Sequence, residues 1–328
     1  MIITRTPMRI PLGGGGTDLP GFYQKYGSFF MSAAIDYYVY LAVKYLPIKG
    51  FRIAYSQIEY VKKIRNIKHR IVRTSLKHLN ITEDRGLEIV SMGDLPGGSG
   101  MGSSASYTVG LLNALYHLKN TSRPVNFLAN EACHISMNLL KEPSGKQDEY
   151  IAAYGGIMCF EINKNGRVKA YPLNVPYQTV KGLEDNLLMF YTGITRSANQ
   201  VLAKQKEGML KNDPKMINNL LRIQELAYQS REILEKGNLT EFGKLLDTHW
   251  KIKRERGSTT TAQIDRWYEI GRKNGALGGK IMGAGGGGFF AFYCEEKKEK
   301  LIKAMQKEGL EYVKFHFDFE GSKLLVNI

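Results

Sequence analysis

The chain has 328 residues, of which 43% are hydrophobic and 23% are charged. This balance excludes an intrinsically disordered protein, and the length favours two domains over one. No stretch contains the roughly 18 consecutive apolar residues of a membrane-spanning helix, since the longest candidate, 29–43, is interrupted by Asp36. Because no apolar signal segment opens the chain either, we expect a cytoplasmic protein with no membrane partner.

Cysteine and histidine usage argues against a disulfide framework or a zinc site. The three cysteines, Cys133, Cys159 and Cys294, are scattered, and the six histidines show no metal-binding spacing. A net charge of +15, from 46 Lys and Arg against 31 Asp and Glu, is more informative. Such a charge concentrates anions near the surface, so nucleic acids, nucleotides and phosphorylated metabolites all remain open as partners.

Glycine is the most informative residue type, because 13 of the 35 glycines fall within the segments 13–16, 97–102 and 283–288. The first cluster follows a strand-like start and forms a turn that carries Thr17 and Asp18. A carboxylate on such a turn is placed to accept hydrogen bonds from the hydroxyls of a polyol. An ordinary turn residue is the alternative.

The second cluster lies between a predicted strand, 87–92, and a predicted helix, 104–118, whose apolar residues recur at helical spacing. A glycine loop that ends at a helix start brings backbone N–H groups and the positive end of a helix dipole to one point, which favours phosphate binding. The loop is neither a nucleotide P-loop, since no lysine follows Gly102, nor a dinucleotide fingerprint, since Ser103 stands at the third glycine position. A plain helix cap needs fewer glycines and serines than this loop contains.

The rest of the chain alternates helical and strand patterns. A helical stretch, 126–140, precedes a turn and Asp148, and a turn-rich stretch, 172–181, predicts a hinge. Beyond it we predict a strand at 187–191, helices at 216–236, 239–254, 262–274 and 295–307, an aromatic strand after the third glycine cluster, and strands within 312–328. The third cluster indicates backbone packed closely against another loop or against a nucleotide. Both halves therefore predict an α+β fold.

The three glycine clusters, in this order, resemble the three motifs of the GHMP kinases, and the second, Pro96–Ser106, carries the most specific likeness. The resemblance covers nearly the whole chain. It implies a ribosomal-protein-like N-terminal domain, 1–175, with the first two motifs and the ATP loop. It also implies a ferredoxin-like C-terminal domain, 176–328, with the third motif, and ATP and Mg²⁺ as cofactors.

The resemblance also implies roles for individual residues. Asp148 would accept the proton of the acceptor hydroxyl, Arg9 would lie near the transferred phosphate, and Ser104 and Asp148 would bind magnesium. The family usually supplies a further glutamate ligand where this chain has Ser136, and neither Glu131 nor Glu142 replaces it convincingly. ATP would be bound by Pro96, Gly97, Gly98, Ser99, Gly100, Met101, Gly102, Ser103 and Ser104. Substrate would be bound by Thr17, Asp18, Gly156, Gly285 and Gly286.

Several stretches, among them 14–20, 145–156 and 191–197, resemble the branch of the family that phosphorylates the anomeric hydroxyl of D-glycero-D-manno-heptose 7-phosphate. L-fucose kinases share some of them, so another sugar remains open. The distal phosphate of a heptose 7-phosphate would need a second cationic pocket, for which Arg196 and Arg254 are candidates. A basic nucleic-acid-binding protein is the alternative of another class, but no RNA-binding or helix-turn-helix signature supports it. The oligomeric state stays open.

Overall fold

The computed structural model describes residues 1–195, 203, 205, 207–209, 211–257 and 259–328. These residues form two β-sheets with helices packed against both, which is the predicted α+β architecture. The helices are α1 (Pro20–Tyr26), α2 (Arg70–His78), α3 (Ser103–Leu118), α4 (Val125–Cys133), α5 (Gln147–Tyr154), α6 (Tyr177–Asn186), α7 (Pro214–Glu235), α8 (Leu239–Arg254), α9 (Ala262–Lys273) and α10 (Lys298–Lys307).

The first sheet is organised by its longest strand. In the described part of the chain it contains β1 (Ile2–Gly13), β2 (Ser28–Leu46), β3 (Phe51–Ala54), β4 (Ile58–Val61), β5 (Gly86–Gly93), β6 (Ile157–Ile162), β7 (Val168–Pro172) and β12 (Lys323–Asn327). Its order is β12-β1-β2-β5-β3-β4. In addition, β6 pairs with the first part of β2, and β7 pairs with β6. With 19 residues, β2 is long enough to pair with β6 through 28–33 and with β5 through 39–46.

Helix α3 lies at the centre of the N-terminal core. It packs on β1 and β2, and its residues 105–116 are all buried. Gly110 permits this close approach, because a Cβ at that position would lie only 2.7 Å from Thr6 Oγ1 on β1. The start of α3 is thereby held at a fixed height above β1, the strand that carries Arg9.

The second sheet is antiparallel and has the order β11-β8-β10-β9, built from β8 (Leu187–Tyr191), β9 (Gly278–Ile281), β10 (Phe289–Tyr293) and β11 (Glu311–Val313). Its core is aromatic: Phe290 and Phe292 stack with ring centroids 4.3 Å apart, and Trp250 of α8 packs on Phe290. Such a sheet covered by helices agrees with the ferredoxin-like half that the family resemblance implies.

The structure corrects three expectations about chain organisation. The predicted hinge, 172–181, includes the first residues of α6. The predicted helix 126–140 is α4 followed by a wider π-helical turn, His134–Leu139. A division at residue 175 also fails for the last strand, since β12 pairs with β1 in the first sheet. No described helix is long and apolar enough to cross a bilayer.

Gly110→Ala should destabilise the protein by about 1–3 kcal/mol, because the added methyl group overpacks the contact between α3 and β1. Thr6→Ala removes the oxygen that the methyl group would meet. We therefore expect Thr6→Ala and Gly110→Ala together to cost less than the sum of the single changes in urea denaturation. Strict additivity would show that this contact does not set the helix position.

Candidate active site

A cavity of about 230 Å³ lies between the two halves of the molecule, where all three glycine clusters meet. The starts of α3 and α5 line one side, and the end of α8 and β9 line the other. The glycines on its wall are Gly15, Gly16, Gly98, Gly100, Gly102, Gly145 and Gly283. The clusters that are far apart in sequence therefore contribute to one site.

The loop between β5 and α3 presents free backbone donors to this cavity. Gly98, Gly100 and Gly102 have φ values of 74°, 75° and 80°, which glycine adopts without strain. The first N–H groups of a helix have no intrahelical partner. No side chain caps those of α3, so they remain free to bind a ligand. Together with the helix dipole they form an anion-binding site, lined also by Ser103 and Ser104.

The third glycine cluster packs against this loop, which is one of the two alternatives that the sequence left open. A Cβ on Gly283 would lie 2.8 Å from Gly100 O, and a Cβ on Gly288 would lie 2.1 Å from Ser99 O. Any larger residue would push the loops apart. The cluster thus supports the shape of the anion-binding loop from behind.

Arg9 joins the catalytic candidate Asp148 to the same loop. Its Nε and Nη2 atoms donate to Asp148 Oδ1 and Oδ2 at 2.8 and 2.7 Å, and Nη1 donates to Gly100 O at 2.5 Å. The Arg9 side chain is only 6% exposed, whereas that of Asp148 is 33% exposed and faces the cavity. Asp148 Oδ2 lies 3.5 Å from the position that a Cβ on Gly102 would occupy. A carboxylate is therefore held at the mouth of the anion-binding loop.

Asp18 is a second, buried carboxylate that lies near Asp148. Its oxygens accept hydrogen bonds from the N–H groups of Gly16 at 3.1 Å and Gln147 at 3.0 Å, which tie the first glycine turn to the start of α5. Burial raises the pKa of Asp18 above its ordinary value, and the nearby charge of Asp148 adds to this shift. Asp18 lines the cavity, as expected of a group that binds hydroxyls.

Several residues predicted to bind ligands make contacts within the fold and do not line the cavity. Thr17 is fully buried and donates to Gly14 O, and Gly156 pairs by its backbone with Ala34 and Asp318. Gly285 and Gly286 contact Thr259. None of these four lines the cavity, and the same holds for Pro96, Gly97, Ser99 and Met101 of the predicted ATP loop. Met101 points into the hydrophobic core, so its part of the loop anchors the rest.

Glu149 is a site residue that sequence reasoning missed. It is buried, lines the cavity, and accepts a hydrogen bond from Ser136 Oγ at 2.6 Å. Burial raises its pKa to about 8, with a further contribution from Asp148. Glu131 is instead held by Tyr116 and His78 away from the cavity, while Glu142 does line it. The Ser136 position thus contacts a carboxylate that another helix supplies.

These groups fit a magnesium ion only in part. Ser104, Asp148 and Glu149 line one cavity and offer the oxygen donors that Mg²⁺ prefers. Among the described residues, however, no three His, Cys, Asp or Glu side chains converge as a ready-made metal site. A magnesium ion here would need phosphate oxygens and water to complete its shell, which is its usual mode of binding.

The opposite wall of the cavity carries cations, but Arg254, one of the two predicted ones, is not among them. Arg254 makes an ion pair with Asp265 at 3.1 Å and does not line the cavity. Arg196 lies outside the described residues. The cavity is lined instead by the neighbours of Arg254 in the same basic run, Lys253 and Arg256, together with Lys280 of β9. A basic run does not reveal which of its members will be buried, because that depends on the helix face and on the facing strand.

Comparison with known families assigns the class. Residues 60–156 match the GHMP kinases N terminal domain, and residues 230–310 match the GHMP kinases C terminal domain. The chain belongs to the GHMP kinases, and it is therefore a phosphotransferase with an alcohol group as acceptor.

Among individual relatives, the chain is 29% identical to a D-glycero-alpha-D-manno-heptose 7-phosphate kinase of Campylobacter jejuni, over 98% of each protein. It is 25% identical to an L-fucokinase/L-fucose-1-P guanylyltransferase of Bacteroides fragilis, over 89% of this chain but 34% of that protein. A crystal structure of a D-glycero-D-manno-heptose 1-phosphate kinase from Bacteroides thetaiotaomicron superposes over 100% of both chains with a TM-score of 0.82 at 22% identity. The last comparison supports the fold.

Glu149→Gln should stabilise the protein increasingly as the pH rises. In the folded chain this carboxyl stays protonated up to a pKa of about 8, whereas in the unfolded chain it ionises near 4.5. Between these values unfolding releases a proton, so wild-type stability falls with rising pH, and the glutamine variant lacks this loss. We expect the difference in unfolding free energy to grow by more than about 1 kcal/mol between about pH 5.5 and about pH 8.

Urea denaturation at the two pH values measures this difference, and Glu296→Gln on the exposed surface controls for the change in net charge. Asp18, whose pKa burial also raises, contributes to the pH dependence of both proteins and cancels in the comparison. An equal stability difference at both pH values would contradict the elevated pKa.

Proposed function

We propose that this GHMP kinase is an ATP-dependent sugar kinase that phosphorylates the anomeric hydroxyl of D-glycero-D-manno-heptose 7-phosphate, giving the 1,7-bisphosphate. The observation that carries the proposal is the link from Asp148 through Arg9 to Gly100, which keeps a carboxylate beside the anion-binding loop. The similarity to the Campylobacter jejuni heptose 7-phosphate kinase over nearly the whole of both proteins supports the choice of sugar.

In this proposal the N–H groups at the start of α3 and the Ser103 and Ser104 hydroxyls bind the phosphates of ATP. The sugar hydroxyl attacks the γ-phosphorus, the bond to the β,γ-bridging oxygen breaks, ADP leaves, and Asp148 takes the hydroxyl proton. A loose transition state asks little base strength of Asp148, so orientation is its main contribution. The Arg9 fork fixes that orientation because it binds both carboxylate oxygens.

Magnesium is assigned to the same part of the cavity. Ser104 and the carboxylates of Asp148 and Glu149 are the residues that would hold it, and the ion would neutralise negative charge on the phosphates. Glu149 takes the place of the glutamate that the family usually has at the Ser136 position. Because Glu149 is protonated up to a pKa of about 8, binding of a cation beside it should release a proton near neutral pH.

L-fucose is the second candidate substrate, since two relatives are fucokinases. The chain covers only 24% and 34% of those proteins, so most of each has no counterpart here. A nucleic-acid-binding protein has no support from the site, because Lys253 and Lys280 are buried side chains that, together with Arg256, line a cavity rather than an exposed face.

Asp148→Asn should reduce kcat by about 10²- to 10⁴-fold, as expected for loss of a positioned proton acceptor. Binding of a non-hydrolysable ATP analogue should persist, because the α3 donors remain. A coupled assay of ADP release and calorimetry measure the two effects. Asp185→Asn, an exposed change on α6, is the matched control. Wild-type turnover in the Asp148→Asn variant would rule out the assigned role.

The substrate is tested by the same ADP-release assay with heptose 7-phosphate, L-fucose, galactose and mevalonate, each with Mg²⁺ and ATP. We expect heptose 7-phosphate to give the highest kcat/KM and a product with phosphate on the anomeric oxygen. Phosphate on any other oxygen, or a preference for fucose, would contradict the proposal.

A further inference from the structure

Four basic side chains form one wall of the cavity, and we call them the basic wall: His249, Lys253, Arg256 and Lys280. The first two lie one turn apart on α8, Arg256 follows the end of that helix, and Lys280 projects from β9. His249, Lys253 and Lys280 are 6%, 8% and 3% exposed. Buried cations at this density are uncommon, because burial of a charge is costly unless it is paired.

In the described part of the chain, no carboxylate forms an ion pair with the basic wall. Among the described residues, none of Lys253, Arg256 and Lys280 has an acidic oxygen within 4.0 Å, although the charge of Asp18 acts on Arg256 from further away. The positions outside the described ranges include no Asp or Glu. Lys253 donates instead to the carbonyls of Ile281 and Gly283, both at 2.8 Å. Neutral acceptors satisfy its hydrogen bonds but leave its charge uncompensated.

Two donors of the basic wall have no partner. Burial and the neighbouring Lys280, Lys253 and Arg256 lower the pKa of His249 well below its ordinary value, so its ring is neutral. Lys280 Nζ lies 3.2 Å from His249 Nδ1, which makes Nδ1 the acceptor and leaves the proton on Nε2. That Nε2 atom and Arg256 Nη2 are both enclosed and lack an acceptor within the described structure. Both residues line the cavity, so an oxyanion bound against them is the kind of acceptor that they lack.

The position of Arg256 places the basic wall near Asp18, the residue that we assign to the hydroxyls of the sugar. A Cβ on Gly16 would lie 3.0 Å from Arg256 Nη1, so the guanidinium lies against the turn that carries Asp18. The phosphates of the nucleotide are already assigned to the N–H groups at the start of α3 and to the neighbourhood of Arg9. Within the described residues Lys253, Arg256 and Lys280 form no ion pair, so they suit a second anion that belongs to the acceptor.

We propose that His249, Arg256 and Lys280 bind a phosphate monoester that the acceptor sugar already carries, at the end remote from the reacting hydroxyl. The inference rests on the proposed function and gives its substrate class a structural basis: a phosphorylated rather than a neutral sugar. Lys253 is a positioning residue, since its hydrogen bonds to Ile281 and Gly283 hold β9 and the third glycine cluster in place.

Arg256→Gln tests the pocket by kinetics. We expect KM for heptose 7-phosphate to rise at least about 30-fold, as for loss of one partner of a buried charge pair. KM for ATP, and kcat/KM for the same heptose without its phosphate, should stay unchanged. Arg222→Gln, which removes an exposed arginine paired with Glu255 outside the cavity, is the matched control. A rise in KM for ATP alone, or no change for heptose 7-phosphate, would overturn the proposal.

Calorimetry without turnover provides a second test. The pKa of Lys280 is lowered to about 7 by burial and by Arg9, while His249, Lys253 and Arg256 face it from α8 and its end. A bound phosphate should raise that pKa, so binding of heptose 7-phosphate near pH 7.5 should take up protons and its heat should depend on the buffer's ionisation enthalpy. Lys280→Met, checked by circular dichroism for a folded chain, should lose this uptake.

The two proposals fail separately. If the wild-type protein phosphorylates no sugar, the proposed function falls, while calorimetric binding of heptose 7-phosphate with proton uptake would still support the pocket. If heptose 7-phosphate is a good substrate but Arg256→Gln and Lys280→Met bind and use it like wild type, the pocket is overturned and the kinase assignment stands.

Discussion

The site depends on one ion pair, the two-pronged contact between Arg9 and Asp148. An unpaired carboxylate beside a phosphate-binding loop would repel its ligand, and an unpaired guanidinium in this position would be a buried cation without a counterion. Pairing resolves both problems, and the third guanidinium nitrogen binds Gly100 O. Strand β1, helix α5 and the glycine loop are thus held together by a single side chain that is 6% exposed. Because Arg9 lies on β1, which pairs with β2 along residues 2–13, the first sheet fixes the position of the reacting groups.

Around this pair, acidic and basic side chains lie on different sides of the cavity. Asp18, Asp148 and Glu149 lie towards the N-terminal half, where hydroxyls and a cation would be bound, and the basic wall lies towards the C-terminal half. Burial raises the pKa of Asp18 and Glu149 and lowers that of Lys280, so burial disfavours the charged form of each group. Such mutual frustration reduces stability in the absence of ligands and is characteristic of a site whose missing partners are themselves charged.

The parts of this arrangement that depend on local sequence were predictable. The glycine loop before α3, the strand 187–191 and the long C-terminal helices follow from turn chemistry and apolar spacing, and Asp148 and Asp18 were found because they adjoin recognisable motifs. Glu149 was not, since neighbouring residues on a helix point in different directions and nothing local shows that α5 exposes both to one cavity. The prediction named Arg254, whereas Arg256 and Lys280 line the cavity, and the cause is the same. Contacts with β9, which is not adjacent in sequence, help to decide which basic side chains become buried. Thr17 and Gly156 matched motifs, but both make hydrogen bonds within the fold and neither lines the cavity.

The return of β12 to the first sheet has a consequence for how the molecule is made. Strand β1 carries Arg9, yet one of its two edges stays open until residues 323–327 have been synthesised and have paired with it. Until then the nascent chain exposes unpaired backbone along residues 2–5 of β1, and an edge of this kind invites pairing with other chains. The first residues of the strand that carries Arg9 are therefore protected on this edge only by residues 323–327, which are made long after them.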